Sequence, residues 1–260
     1  MNQEDKYVIS RFFTLLASVA LVGPTAAVAV DVSSKWSQPP IQVGELGGYP
    51  LYRGFDEMSI RDTGYLAADD WLCADDRPVS DVRWWGSHSD WVQMTPPADC
   101  PDAFWFGIYS DVPPGTDSVY SHPGDLIWEF TSRDFTGTFV GFDDLGGIES
   151  LFRYEVWLPT GAHFYQAGDN TIYWVSLAAI YDGGPPTSNE WGWLTRPFFY
   201  GDAATKSAST APFWTPNTLQ GEVWDQAFEI NALVPEPNYI GFVVIASGLI
   251  GFARLTKRRM

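Results

Sequence analysis

A chain of 260 residues with a net charge of −17 and 16% aromatic side chains excludes two broad classes at once. Charge of that sign and size repels phosphate backbones, which excludes nucleic acid as a partner. The aromatic content excludes a disordered stalk, which would lack the apolar residues to build a core.

The chain opens with Lys6 and Arg11 ahead of an apolar run over 12–22, followed by the small residues Ala27-Val28-Ala29. This is the order of a secretory signal peptide, and it predicts residues 1–29 as an export signal removed after Ala29, with Glu4 and Asp5 diluting the basic region. The segment that follows, 30–233, has the length of one ordinary domain. Its only cysteines are Cys73 and Cys100. In an exported protein, an even pair predicts one disulfide, worth about 3 kcal/mol in the chain-entropy model.

Strand signals then recur along the domain. "PVSDVRWWGS" (78–87), "FWFGIYSD" (104–111), "DLIWEFTS" (125–132), "GTFVGF" (137–142), "LFRYEVWLP" (151–159), "NTIYWVSLAAIY" (170–181) and "EVWDQAFEIN" (222–231) are rich in β-branched and aromatic residues. Segments dense in Gly, Pro, Asp and Asn separate them, such as "YDGGPPTSNE". In the 151–159 run, Phe152, Tyr154, Val156 and Leu158 alternate with Leu151, Arg153, Glu155 and Trp157, the period of a half-buried strand. "TIYWVSLAA" is apolar nearly throughout, as expected of a central strand covered on both faces. With no amphipathic helical pattern in the domain, the prediction is an all-β fold: an antiparallel β-sandwich, jelly-roll-like.

Chemistry is harder to find. No nucleophile elbow, metalloprotease helix, phosphate loop or dinucleotide fingerprint is present, and no catalytic residue is assigned. "GSHSD" (86–90) gathers Ser87, His88 and Asp90, but adjacent strand residues face opposite ways and triads are assembled from distant positions, so it reads as a polar loop after a strand. The acid pairs Asp69-Asp70, Asp75-Asp76 and Asp143-Asp144 read as solvated loops. No metal ligand or cofactor is assigned; structural calcium is the one cofactor considered, because oxygen-rich loops between strands suit it and "DDLGG" (143–147) has that character. The tryptophans exceed what one core easily hides, and exposed aromatic faces stack on sugar rings. Trp85, Trp91 and Trp191 are therefore the candidates for binding extracellular polysaccharide.

The chain ends "VPEPNYIGFVVIASGLIGFARLTKRRM". The run 239–255 carries one charge, Arg254, and is followed by Lys257, Arg258 and Arg259. It predicts a short transmembrane helix whose basic end stays in the cytoplasm, leaving the domain outside.

Val234-Pro235-Glu236-Pro237, a hydrophobic helix and a basic terminus ending in Arg258 and Arg259 together resemble a PEP-CTERM sorting signal over 234–260. The resemblance implies passage through the Sec machinery, transient anchoring in the inner membrane and cleavage near Pro-Glu-Pro by an exosortase. It also implies a final place at the cell surface or in the matrix. The domain itself, through "LAADDWLCADDRPVSDVRWWGSH", "FGIYSDVPP", "YSHPGDLIW", "GDNTIYWVSLAA" and "WGWLTR", resembles an uncharacterised β-rich domain of exported bacterial proteins over roughly 33–232. That resemblance implies no activity. The expected function is a non-enzymatic surface or extracellular-matrix protein, and the alternative is a secreted glycan hydrolase with a carboxylate active site.

Overall fold

A computed structural model describes residues 32–208 and 214–234. The predicted signal peptide and span 239–255 lie outside the described residues, as do Pro235, Glu236, Pro237, Arg258 and Arg259 of the sorting motif; Val234 is the last residue described. No helix among the described residues is long and apolar enough to cross a membrane.

The described chain is all-β. Its strands are β1 (Val32–Gln38), β2 (Ile41–Leu46), β3 (Tyr49–Arg53), β4 (Asp56–Met58), β5 (Leu66–Cys73), β6 (Asp81–His88), β7 (Ala103–Val112), β8 (His122–Ser132) and β9 (Thr136–Asp143). They continue as β10 (Ser150–Trp157), β11 (Thr171–Ile180), β12 (Trp191–Pro197), β13 (Thr205–Ser207), β14 (Trp214–Pro216), β15 (Thr218–Leu219), β16 (Glu222–Gln226) and β17 (Phe228–Leu233). One sheet has six strands in the order β14-β13-β5-β11-β7-β8. The other has eleven, running β15-β16-β12-β6-β10-β9-β3-β2, with β17 bridging β1 to β6 and β4 beside β12. Neighbours pair antiparallel except β3 with β9, which is parallel.

Period-2 patterning explains which face each strand buries. On β10, Phe152, Tyr154 and Val156 point into the space between the sheets, while Arg153 and Trp157 point out. β11 lies between β5 and β7, and its residues 174–179 are all buried, as its nearly continuous apolar run requires. The core is aromatic. Trp84 stacks on Tyr154 at 5.5 Å, and Phe104 meets Trp84 and Trp191 edge-on, each at 4.9 Å. Such pairs add about 0.5–1.5 kcal/mol each beyond the area they bury.

Two expectations fail here. The cysteines are free, and the topology keeps them apart. Cys73 pairs with Thr171 at one end of β11, whereas Cys100 lies just ahead of Asp102, whose N–H donates to the Ile180 carbonyl at the other end. Ten strand residues separate those ends by roughly 30 Å, and a disulfide needs Cα atoms within about 7 Å. Nor is Asp69-Asp70 a solvated loop: both residues sit in β5, each 1% exposed.

Candidate functional site

Outside the core, the eleven-stranded sheet gathers three carboxylates. β9 ends at Asp143 and β10 begins just after Glu149, so the two face each other across the neck of the hairpin. The Asp143 N–H donates to the Glu149 carbonyl (3.1 Å), and the Glu149 N–H donates to Asp143 Oδ1 (3.2 Å). The hairpin loop is pinned to the bend before β4 by the Leu145 N–H on the Gly54 carbonyl (2.9 Å) and by an Arg53–Asp144 ion pair (3.1 Å).

Asp56 arrives from β4. Strand β12 lies between β4 and β6, with Gly192 paired to both Met58 and Ser87. A Cβ on Gly192 would lie 2.5 Å from Asp56 Cβ. The missing side chain is what lets Asp56 reach across β12 to Ser87, whose hydroxyl contacts Asp56 Oδ1 and lies 2.6 Å from Asp143 Oδ2. One hydroxyl proton cannot serve both acceptors. Glu149 Oε1 is held from its other side by the Asp90 N–H at 2.6 Å.

Ligand oxygens of Asp56, Asp143 and Glu149 all lie within 4.8 Å of one another. Burial, followed by the charges of Asp143 and Glu149, holds the Asp56 carboxyl well above the usual carboxylate range. Burial first, then Glu149, pushes Asp143 up to about 8 against the lowering hydrogen bond from Ser87. Among the described residues no basic side chain forms an ion pair with any of the three. Asp56 Oδ2 has no hydrogen-bond partner and exposes less than 1 Å², although the residue as a whole is only half-buried. Asp56 and Glu149 line a cleft of about 450 Å³ together with Phe55, Leu145, Glu190 and Gln220. A neighbouring groove of about 740 Å³ shares Leu145 and Gln220 and is walled by Phe198, which is 49% exposed.

The sequence-predicted residues meet this cleft only in part: Asp143 belongs to the cluster, Ser87 bridges it, and Trp191 borders the cleft. Trp191 is 0% exposed and Trp85 7%, Trp191 in the inter-sheet core and Trp85 packed on the sheet's far side with Leu151, Leu194 and Ala227. Trp91 is half-buried against the core, its indole N–H committed to the Thr95 carbonyl at 2.7 Å. Trp191 and Trp85 offer no free face to a sugar, because the packing on the two sides of the sheet uses them as filler. Ser87 and His88 belong to β6 and are wholly buried. His88 hydrogen-bonds the Asn189 carbonyl and the Tyr154 hydroxyl, away from Ser87, and burial lowers it to about 4. Of the cluster, only Asp143 was visible beforehand, in "DDLGG"; Asp56 and Glu149 were missed, although an acid six residues after Asp143 was a usable hint.

A second acidic group lies on β5 and β16. Asp69 Oδ2 accepts from Gln38 Nε2 and from the Gln226 N–H, both at 2.6 Å, and Asp225 Oδ2 accepts from the Phe199 N–H at 2.6 Å. Asp70, 1% exposed, has no partner on either oxygen. Gly201, with φ +64°, packs so close that a Cβ there would lie 2.2 Å from Asp70 Oδ2. Burial, then Asp225 and Asp202, pushes Asp70 up to about 8.

Fold and site together define a β-sandwich protein with an acidic cleft on the outer face of its larger sheet. The profile of a domain of unknown function, DUF7901, matches residues 34–231, and the chain belongs to that family. No curated protein matches it.

Proposed function

We propose that this chain is an exported, non-enzymatic surface or extracellular-matrix protein whose sandwich, jelly-roll-like in outline, binds a neutral or cation-bridged glycan. The sequence patterns of a signal peptide over 1–29 and of a short membrane span over 239–255, with the resemblance to a PEP-CTERM signal, support export through the Sec machinery, inner-membrane anchoring and exosortase processing. The observation that carries the non-enzymatic reading is the arrangement of the cleft carboxylates. Glycosidases hold their two carboxyl groups about 5–9.5 Å apart, to admit a sugar bond between them. Asp56, Asp143 and Glu149 instead converge as a group of three, each with one oxygen within 4.8 Å of the others, and Asp143 is wholly buried rather than open to a sugar. The groove beside them supplies an exposed aromatic, Phe198, in place of the buried tryptophans.

The test is a glycan array probed with the full-length protein and scored for both retention and cleavage. Retention without turnover, weakened by Phe198→Ala, is the expected result. Turnover abolished by Glu149→Gln would overturn the reading.

A further inference from the structure

We propose that Asp56, Asp143 and Glu149 form a binding site for a divalent cation of the calcium class. Calcium takes oxygen ligands at about 2.3–2.6 Å, so oxygens sharing one ion must lie within about 5 Å of each other. The three carboxylates meet that limit, with 4.8 Å as their outer separation. The set contains only carboxylate oxygens, without the thiolate or imidazole that softer metals prefer. Their negative charge is not neutralised by a described Lys or Arg, and a buried cluster of like charges demands a counter-charge or protons.

The observation that points to a ligand is Asp56 Oδ2. It is sealed from solvent, has no hydrogen-bond partner and belongs to the carboxylate facing the other two. An acceptor left like this is destabilising unless something binds it. The other two carboxylates are preset by backbone donors: the Asp90 N–H orients Glu149 (2.6 Å), and the Glu149 N–H orients Asp143 (3.2 Å). The cleft opens beside Asp56 and Glu149, leaving room for water to complete a coordination shell of six to eight oxygens. On the glycan-binding reading, on which this extension alone rests, vicinal sugar hydroxyls replace those waters.

The experiment titrates the purified full-length chain with calcium by calorimetry and with terbium, whose emission nearby tryptophans sensitise. Thermal unfolding is followed in parallel, in calcium and in chelator. One calcium per chain is expected, with the wild-type midpoint rising about 5–10 °C at calcium a hundredfold above Kd. Asp56→Asn and Glu149→Gln should each weaken calcium binding at least tenfold. In chelator both variants should unfold at or above the wild-type midpoint, because they relieve repulsion; a variant that simply misfolds would unfold lower in both conditions. Wild-type protein that shows no saturable calcium binding at millimolar concentration overturns the site, as does binding unchanged in both variants. Glycan retention measured with and without chelator separates the claims: calcium binding with calcium-independent retention, or with none, retains the cation site and removes only its role toward sugar.

Discussion

Replacing Asp70 by Asn should stabilise the protein at neutral pH, by an amount that grows with pH. Asp70 is 1% exposed, has no hydrogen-bond partner on either oxygen and faces Asp225, Asp202 and Asp111. Its folded pKa, about 8 against an ordinary 3.8, means that the folded state keeps a proton the unfolded chain releases. Between those values a rise in pH favours unfolding, by up to about 1.4 kcal/mol per unit. Asn has the shape of the protonated acid and never ionises, so the variant escapes this term. The stability difference, variant minus wild type, should be near zero below pH 4, widen by about 1–3 kcal/mol between pH 5 and 7, and level off above pH 8. Urea unfolding followed by tryptophan fluorescence, at half-unit pH steps in chelator, measures it directly. A pH-independent difference, or a variant less stable than wild type at pH 7, would refute the reasoning and indicate that an unseen donor or cation serves Asp70.

Three further outcomes follow from the packing. Gly192→Ala places a methyl 2.5 Å from Asp56 Cβ; it should cost about 1–3 kcal/mol in urea unfolding and weaken calcium binding along with it. Trp191→Ala should cost about 3–5 kcal/mol, as for a fully buried aromatic, whereas Trp157→Ala, at a residue 47% exposed, should stay within about 1 kcal/mol by the same denaturation assay. Thiol titration of the purified protein in denaturant should find both Cys73 and Cys100 reduced, and non-reducing peptide mapping should recover no linked pair.

Much of the fold was legible because strand burial is a local pattern. The alternation through Phe152, Tyr154 and Val156 is written in neighbouring letters, and so is the unbroken apolar run of β11. β5 was missed because Asp69 and Asp70 look like a loop. What buries Asp69 is a pair of amide donors from Gln38 and Gln226, remote in sequence and invisible in the pair itself. The tryptophans were misplaced for a related reason: composition counts aromatics but not the area of the two sheets that must be filled, and Trp191 and Trp85 proved to be filler. The cysteine pairing failed on topology, since a central strand separates the two residues. The carboxylate cluster spans β4, the β9 end and the hairpin neck, and depends on the absent side chain of Gly192 in a fourth segment. No local spacing rule brings those together.

The central claim, that this cleft is built around a cation, is tested most directly by anomalous diffraction from crystals grown with calcium and measured at long wavelength. The account predicts a peak within about 2.3–2.6 Å of oxygens from Asp56, Asp143 and Glu149 together. Carboxylates joined only by shared protons, with no peak between them, would contradict it.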